Sequence, residues 1–502
     1  MQSREVGARV LYAMYTTSLS STQGAIAPRA EADLEFTAES MLSMGQQVVA
    51  RAVAHIATIA QAPSCGNVDA AELCRSLREP APESGSALEP LLDLLFDQLI
   101  PRSFTTPGPG YLAYILGGGV YPAALADFIA NTTNRYTGVW TAAPALVQLE
   151  ANALEWLREW MHFPVGTGGL FTPGGSMATF NAILCARERH LGTEIRSGTL
   201  YASDQAHHSV TKSAKLAGIF HDRVRLVPVD SAYRMRTDAL ADAIARDRQL
   251  GMRPFMVMSS AGTTNTGAVD LLDDIADLCR REQIWHHIDG AYGAFFHLCP
   301  EVRPLLTGLP RGDSLTLDPH KGMFLPYGTG ALLVRDGSVL RAVHSATAGY
   351  LPENQTEFYD PAQHGPELSR GFPGLRVWMA VKMFGTERYR AAIAEKRELA
   401  LWAAERVARI PGIVMDAEPQ LSLFAFHVEG PGLTTQEARN AATRRLVERV
   451  TARGRVMLTG CDVDGRHLAR VCVLSFRTHL AQMEMCVEDL ALETAAVLAG
   501  AM

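Results

Sequence analysis

The sequence predicts an α/β protein with a mostly parallel central sheet, a helical N-terminal segment and a small α+β unit at the C-terminal end. Short apolar runs indicate buried strands, helical patterns separate the first five runs, and polar residues follow several of them. This alternation is typical of a parallel sheet with helices on both faces. The runs are Gly169–Thr172, Thr199–Ser203, Val224–Val229, Phe255–Ser259, Ile284–Asp289, Ser314–Leu317 and Gly330–Val334.

Helical patterns dominate the chain before these strands. Apolar residues recur at helical spacing over Glu39–Ile59, and Leu91–Ile100 is a second amphipathic segment that Pro90 opens and Pro101 ends. A loop dense in glycine and proline follows over Thr105–Pro122, and further helices lead to the first strand.

The C-terminal part mixes helices with two further predicted strands. We therefore expect an N-terminal arm and helical segment (1–104), a large domain that holds the functional site (105–385) and a small α+β domain (386–502). The predicted C-terminal elements are helices Arg376–Phe384, Glu387–Ile410 and Thr435–Arg453, and strands Leu421–Val428 and Arg470–Arg477.

Composition excludes several classes of protein. The 502 residues are 47% hydrophobic and 20% charged, which argues against disorder, and the net charge of −7 argues against general nucleic-acid binding. No apolar run reaches the roughly 18 residues of a membrane span. The eight cysteines are scattered without a CxxC pair or a metal-ligand spacing. We expect a cytoplasmic protein with reduced thiols and no metal.

Two polar clusters supply candidate reactive groups, and each lies at the end of a predicted strand. Lys321 belongs to the motif Asp-Pro-His-Lys at 318–321, and a desolvated amine there can attack a carbonyl group to form a Schiff base. Asp289 precedes Gly-Ala-Tyr-Gly, and its carboxylate can hold a pyridine nitrogen protonated. Taken alone, each has a structural alternative, a surface lysine for Lys321 and a helix N-cap for Asp289.

Three more clusters follow other predicted strands. The glycine-rich turn at 172–179 precedes a helix whose N-terminus suits a phosphate, although no Gly-Lys-Ser/Thr follows to make it a P-loop. His207, in the cluster at 203–209, can stack on a planar ring. The turn at 262–267 offers the hydroxyls of Thr263 and Thr264. Each alone is also consistent with a structural loop, but strand ends of a parallel sheet converge, so together they predict one site.

The order of these clusters resembles fold-type I pyridoxal-phosphate enzymes. More narrowly, the chain is similar to the group II decarboxylases, which include the aromatic-L-amino-acid, histidine, glutamate and tyrosine decarboxylases. The most specific parts are Asp-Pro-His-Lys at 318–321 and Ser-Asp-Gln-Ala-His at 203–207. Pro-Glu-Leu-Ser-Arg at 366–370 and Leu-Arg-Val-Trp at 375–378 also match. The resemblance runs from about residue 38 to the C-terminus.

The resemblance implies a role for each matched residue. Lys321 would carry pyridoxal 5'-phosphate, His320 would lie beside it, and Asp289 would pair with the ring nitrogen. It also implies a homodimer with shared active sites, because Ser369 matches a residue that completes the phosphate site of the neighbouring subunit. The other residues implied to contact the cofactor are Gly175, Ser176, His207, Thr263, Thr264, Ala291 and Asp318.

The activity implied is α-decarboxylation of an L-amino acid, with an aromatic or bulky apolar side chain favoured. No arginine in the segment 107–122 clearly matches the carboxylate of a substrate side chain, which makes glutamate a poorer candidate. Tyr350 matches a loop tyrosine that assists protonation at Cα, and Tyr359 is its rival. The residues implied to line the substrate pocket are Tyr114, Ile115, Leu116, Gly117 and Trp140.

Three alternatives stay open at this point. One is oxygen-dependent decarboxylation–deamination to an aldehyde, in which phenylalanine often replaces the loop tyrosine. Another is a different carbanion reaction in a biosynthetic pathway, because the same lysine and acid serve both. The third is a non-catalytic binding protein that keeps the fold, against which the presence of Lys321 and Asp289 argues.

Overall fold

The structure is a computed structural model that describes residues 34–66, 70–115, 117–345 and 357–500. The chain divides after Val53 into two compact units, and both β-sheets belong to the unit that begins at Ala54. The first described helix is α1 (Ala38–Thr58), which confirms the helix predicted over Glu39–Ile59. Within the described residues, no helix combines the length and the apolarity that spanning a membrane requires.

Two short helices follow, α2 (Ala71–Ser76) and α3 (Leu88–Asp93). The predicted start at Pro90 was wrong, because α3 begins at Leu88 and Pro90 lies in its first turn, where helical N–H groups lack partners anyway. The segment then continues as a π-helical turn and a 3₁₀ turn, Ile100–Arg102. Pro101 therefore lies inside the last turn rather than after the helix.

The central sheet has seven strands, and its mostly parallel character is confirmed. The strand order is β1-β7-β6-β5-β4-β2-β3, and all neighbouring pairs are parallel except those that involve β7. The strands are β1 (Gly168–Thr172), β2 (Gly198–Ser203), β3 (Val224–Val227), β4 (Arg253–Ser260), β5 (Trp285–Asp289), β6 (Ser314–Leu317) and β7 (Gly330–Val334). All seven predicted runs therefore form strands, within one to two residues at most ends.

Helices precede this sheet and connect its strands. After β6 the chain turns back within Asp318–Thr329 to form the antiparallel β7, which keeps that segment at the edge where the parallel strands end. The helices are α4 (Tyr121–Thr133), α5 (Pro144–Trp160), α6 (Gly175–His190), α7 (Ser209–Leu216), α8 (Thr237–Gln249), α9 (Leu272–Glu282), α10 (Pro319–Gly322) and α11 (Gly337–His344).

A long helix, α12 (Pro373–Val407), leads to the C-terminal elements. It is interrupted at Gly385, whose φ of 73° is not helical, so that two helical segments match the predicted Arg376–Phe384 and Glu387–Ile410. Helices α13 (Gln436–Ala452) and α14 (Leu480–Ala499) complete this part, and α13 confirms the helix predicted over Thr435–Arg453.

The second sheet is antiparallel, with the order β10-β11-β9-β8. Its strands are β8 (Ile413–Ala417), β9 (Leu423–Val428), β10 (Thr459–Val463) and β11 (Arg466–Cys472). The strand predicted over Arg470–Arg477 was misplaced, because β11 begins four residues earlier and ends at Cys472. The prediction also omitted β8, a largely half-buried edge strand, and β10.

Candidate active site

The loops after β1, β2, β4, β5 and β6 meet at one edge of the large sheet and enclose a cavity of about 310 Å³. The five polar clusters expected to converge do meet here, because parallel strands bring their carboxyl ends to the same edge. The cavity is lined by Pro173, Gly174, Gly175, Ser176, Met177, His207, Ser209, Gly262, Thr264, Asp289, Ala291, Tyr292, Asp318, His320 and Lys321.

Lys321 reaches the cavity from the short helix α10. Its Nζ atom lies 3.1 Å from Oδ2 of Asp318, the residue that precedes the helix. The Nδ1 atom of His320 lies 2.8 Å from the carbonyl oxygen of Thr329, which orients the imidazole, and burial lowers the pKa of His320. The lysine amine is thus held by a buried carboxylate and lies beside a largely neutral imidazole.

The second oxygen of the Asp318 carboxylate, Oδ1, is buried and has no hydrogen-bond partner among the described residues. A buried carboxylate oxygen without a partner is costly, because its desolvation is uncompensated. Asp318 lines the cavity, so a bound group with a donor would satisfy this oxygen.

Asp289 is the last residue of β5, a strand paired on both sides by β4 and β6. Its Oδ1 atom accepts a hydrogen bond of 3.1 Å from the backbone N–H of Ala291, which fixes the carboxylate at the cavity. The small side chain of Ala291 follows and leaves the space above it open. The Asp289 carboxylate can therefore accept a hydrogen bond from a protonated ring nitrogen of a flat ligand.

His207 lies in the segment that follows β2 and lines the same cavity. The backbone N–H of Ser209 donates to its Nδ1 atom over 3.3 Å, and the Ser209 hydroxyl lies 2.8 Å from the same atom. Burial lowers the pKa of His207, and the charges of Asp289 and Lys321 act on it in opposite directions. The imidazole is thus neutral near pH 7, with its ring proton on Nε2, and suits stacking on an aromatic ring.

The glycine turn before α6 supplies the remaining wall. A Cβ atom on Gly175 would lie 3.0 Å from Oδ2 of Asp318 and 3.2 Å from Cβ of Ala291, so a side chain here would crowd the lysine's partner and the cavity floor. Gly175 and Ser176 begin α6, whose N-terminus carries free N–H groups and a positive partial charge. An anionic group such as a phosphate fits this end of the cavity.

These residues fit pyridoxal phosphate, which has a phosphate, an aromatic ring, a basic ring nitrogen and a carbonyl carbon that reacts with an amine. A helix N-terminus, a neutral imidazole, a strand-end carboxylate and a lysine are each present around one cavity. Together with the mostly parallel sheet, they define the chain as a fold-type I pyridoxal-phosphate enzyme.

Comparison with known proteins specifies the family. The model of the pyridoxal-dependent decarboxylase conserved domain matches residues 71–429. The chain is 34% identical over 458 residues to an aromatic-L-amino-acid decarboxylase of Bacillus atrophaeus, which covers 90% of this chain and 95% of that protein. The chain therefore belongs to the pyridoxal-dependent decarboxylase family, a family of carboxy-lyases whose cofactor is pyridoxal 5'-phosphate.

Solved structures share the fold. The crystal structure of Oryza sativa TDC with PLP and tryptamine superposes with a TM-score of 0.88 at 24% identity, over 93% of this chain and 100% of that chain. Rhodiola rosea 4-hydroxyphenylacetaldehyde synthase gives a TM-score of 0.85 at 23% identity, over 92% and 99% of the two chains.

Several residues predicted for the site are not among those that line the Lys321 cavity. Thr263 is buried, and its hydroxyl is 2.9 Å from that of Thr266 within the turn. Trp140 stacks on Phe358, with ring centroids 4.6 Å apart. Ser369 is exposed, and neither it nor Trp140 lines the Lys321 cavity. Leu116 and Tyr350 lie outside the described residues.

The described residues predicted for substrate binding between 114 and 117 lie in three different surroundings. Tyr114 is 52% exposed and stacks on Tyr111, whereas Ile115 packs partly buried against the main core. Gly117 borders a second cavity of about 300 Å³ that shares His320 with the first. This second cavity is lined by His55, Ile56, Ile59, Thr106, Pro107, Gly117, Gly118, Gly119, His320, Leu325, Pro326, Tyr327 and Arg477.

Six residues that line the Lys321 cavity were not predicted as site residues. Two of them could have been predicted from their neighbours in sequence. Ser209 is two residues after His207, and Tyr292 directly follows Ala291. The Tyr292 hydroxyl is within 3.0 Å of that of Ser422, which ties the cavity wall to the C-terminal part. The other four are Pro173, Gly174, Met177 and Gly262.

Proposed function

We propose that this chain decarboxylates an L-amino acid with an aromatic or bulky apolar side chain to the amine and CO₂. The observation that carries the proposal is the mainly apolar cavity of about 300 Å³ that meets the Lys321 cavity at His320. The 34% identical relative named an aromatic-L-amino-acid decarboxylase supports the same substrate class.

In this proposal the chain's own residues bind and orient the cofactor. Lys321 would hold the carbonyl carbon of the cofactor, Asp289 would keep a proton on the ring nitrogen, and His207 would cover one face of the ring. Ser176 and the N-terminus of α6 bind the phosphate. Bound pyridoxal phosphate supplies an electron sink for the pair of electrons released when CO₂ leaves.

The second cavity binds the substrate side chain in this proposal. Ile56, Ile59 and Leu325 offer apolar contact, and the open space beside Gly119, where a Cβ atom would lie 4.0 Å from its nearest neighbour, leaves room for a ring. Arg477 also lines this cavity, and its guanidinium donates to the carbonyl oxygens of Gly118 and Pro107 without an ion-pair partner among the described residues. It is the group best placed to orient the substrate α-carboxylate.

Tyr350 is our candidate for the proton donor to Cα. Its rival, Tyr359, is partly buried, and its hydroxyl already donates a hydrogen bond to Glu150 over 3.3 Å. Tyr359 also lies outside the set that lines the Lys321 cavity. Tyr350→Phe should therefore slow amine formation far more than Tyr359→Phe, and equal rates for both variants would remove Tyr350 from this role.

We also propose a homodimer in which Ser369 completes the partner's phosphate site. Ser369 is exposed and does not line the cavity of its own chain, as such a role requires. Mixing Lys321→Ala chains with Ser369→Ala chains gives a direct test, because a hybrid dimer regenerates one complete site. Activity should reappear on mixing; two inactive parents that stay inactive when they exchange subunits would contradict shared sites.

The experiment that tests the reaction supplies the holoenzyme with single L-amino acids and follows CO₂, amine, aldehyde and oxygen. We expect one amine per CO₂ from an aromatic or bulky apolar amino acid, with no oxygen consumed. Aldehyde with ammonia and oxygen uptake would establish the oxidative reaction instead. CO₂ from glutamate alone would contradict the proposed side-chain class, and none from any amino acid would indicate another carbanion reaction.

A further inference from the structure

A third cavity, of about 540 Å³, lies at the opposite edge of the large sheet from Lys321. Strand β5 joins the two edges: its first residue, Trp285, lines this cavity, whereas its last, Asp289, lines the Lys321 cavity. Four residue steps along a strand separate them by about 13 Å. No residue lines both cavities.

We propose that this cavity binds a small phosphorylated metabolite at a site separate from the cofactor. Four arginines from four different parts of the chain line it: Arg189 at the end of α6, Arg280 in α9, Arg311 in a 3₁₀ turn and Arg335 directly after β7. Guanidinium groups bind phosphate oxygens in pairs, with charge-assisted hydrogen bonds.

Two of these arginines already have carboxylate partners. Arg311 pairs with Asp273 over 2.8 Å and also with Asp277, and Arg280 lies 3.3 Å from Asp277. These two guanidinium groups contribute structure as well as charge, and they are not the groups on which the proposal depends.

The other two arginines have no ion-pair partner in the described part of the chain. Arg335 donates to the carbonyl oxygens of Gly312, over 3.0 Å, and Pro310, and burial lowers its pKa. Arg189 is exposed at the mouth of the cavity. Two carboxylates line the cavity, of which Asp313 accepts the backbone N–H of His286 and Asp336 caps α11.

His286 adds a buried polar side chain to the wall of this cavity. It lines the cavity, is 1% exposed, and its Nε2 atom lies 2.8 Å from the hydroxyl of Ser259. Its Nδ1 atom is buried without a partner among the described residues. A buried polar atom without a partner costs free energy, so His286 is a polar group of this wall that the described residues leave partly unsatisfied.

The cavity's size and its apolar wall indicate a metabolite rather than an inorganic ion alone. A volume of about 540 Å³ lies within the roughly 300–1,000 Å³ of small-molecule sites. Ile284, Trp285 and Val339 form an apolar wall beside the arginines. The carbon part of a phosphate ester fits against this wall while its phosphate meets Arg189 and Arg335.

The test uses pyrophosphate and calorimetry on the PLP-saturated holoenzyme, so that the cofactor's own phosphate site is filled. Arg189→Gln is the informative variant because Arg189 is exposed and makes no contact that folding needs. Arg335→Gln is the second variant, and Arg196→Gln, exposed and outside the cavity, is the matched control.

We expect pyrophosphate to bind and Arg189→Gln to weaken it by at least about tenfold, with Arg196→Gln unchanged. A fructose or nucleoside phosphate should bind more tightly than pyrophosphate if the apolar wall contributes. Three results would overturn the proposal: no binding, binding no tighter than that of sulfate at equal ionic strength, or binding unaffected by either arginine variant. Tighter binding of citrate than of any phosphate would exclude the phosphorylated class.

Discussion

The carboxylate of Glu150, buried in the middle of helix α5, forms an ion pair with Arg370, which lies beside Ser369. The same carboxylate accepts hydrogen bonds from the hydroxyl of Tyr359, over 3.3 Å, and from the backbone N–H of Gly374, over 3.2 Å. One buried side chain thus fixes both the start of α12 and the segment that holds Ser369, the residue on which the proposed shared site depends.

Replacing Glu150 should destabilise the protein strongly. Glu150→Gln leaves the Arg370 guanidinium buried without its counter-ion, for which the expected cost is about 3–5 kcal/mol. Glu155→Gln is the matched control on the same helix, because the Glu155 side chain is 52% exposed and Arg158 keeps Glu159 as a second partner, so the expected cost is about 1 kcal/mol or less. Thermal unfolding of both variants checks this; similar losses in stability would refute the structural role of Glu150.

Replacing Asp289 should weaken cofactor binding while the fold persists. Asp289→Asn removes the charge that holds the ring nitrogen protonated, and the loss of one partner from a buried charge pair costs about 2–5 kcal/mol. We expect the Kd for pyridoxal phosphate to rise by roughly 30-fold or more and the rate to fall with it. Asp274→Asn, exposed on α9, serves as control. Unchanged affinity and rate in Asp289→Asn would mean that the carboxylate is only structural.

Gly117 should not tolerate even a methyl group. Its N–H donates to the carbonyl oxygen of His320 over 3.2 Å, and a Cβ atom there would lie 2.5 Å from the carbonyl oxygen of Lys321 and from Cα of Phe324. Because both neighbours are backbone atoms, Gly117→Ala must displace α10 and with it the lysine amine. We expect kcat to fall by at least about tenfold. Gly85→Ala, with open space around it, should be silent.

Stability should fall as the pH drops below about 6.5. His286 and His287 are buried on β5, and burial lowers their pKa values to about 3 and about 4. Between those values and the ordinary pKa near 6.5, the unfolded chain binds protons that the folded chain does not. Each histidine then costs about 1.4 kcal/mol per pH unit.

Denaturant unfolding at several pH values measures this slope. His287→Gln should make the slope shallower by about one proton, whereas His221→Gln, an exposed histidine, should leave it unchanged. If the His287 variant keeps the full slope, the acid sensitivity has another source.

The strands of the large sheet could be predicted because each is an apolar run bounded by polar turns. The same signal fails where a strand is half exposed, as in β8. The omitted β10 had a signal of its own, because the sequence Asp464-Gly465 is a pair typical of two-residue hairpin turns. In the structure both residues have positive φ and form the tight turn between β10 and β11. Proline misled at Pro90 because its position within the first turn cannot be read from the residue alone.

The convergence of the site could be predicted where residues lie at or within four residues of a strand end, as Lys321, Asp289 and His207 do. Prediction was weaker where tertiary packing decides the outcome. Thr263 is predicted to contact the cofactor, and in the structure its hydroxyl lies 2.9 Å from that of Thr266 within the turn, while its neighbours Gly262 and Thr264 line the cavity. Trp140 was expected beside the substrate, yet within this chain it stacks on Phe358, a contact between segments distant in sequence.

The most direct test of the account is to find which lysine carries the cofactor. The sequence has only five lysines, and of these Lys321 alone lines the cavity described above. Borohydride reduction of the holoenzyme, followed by peptide mass spectrometry, fixes the cofactor covalently to the lysine that holds it. We expect the added mass on Lys321 and on none of Lys212, Lys215, Lys382 and Lys396. A labelled second lysine with Lys321 unmodified would contradict the assignment of this cavity as the active site.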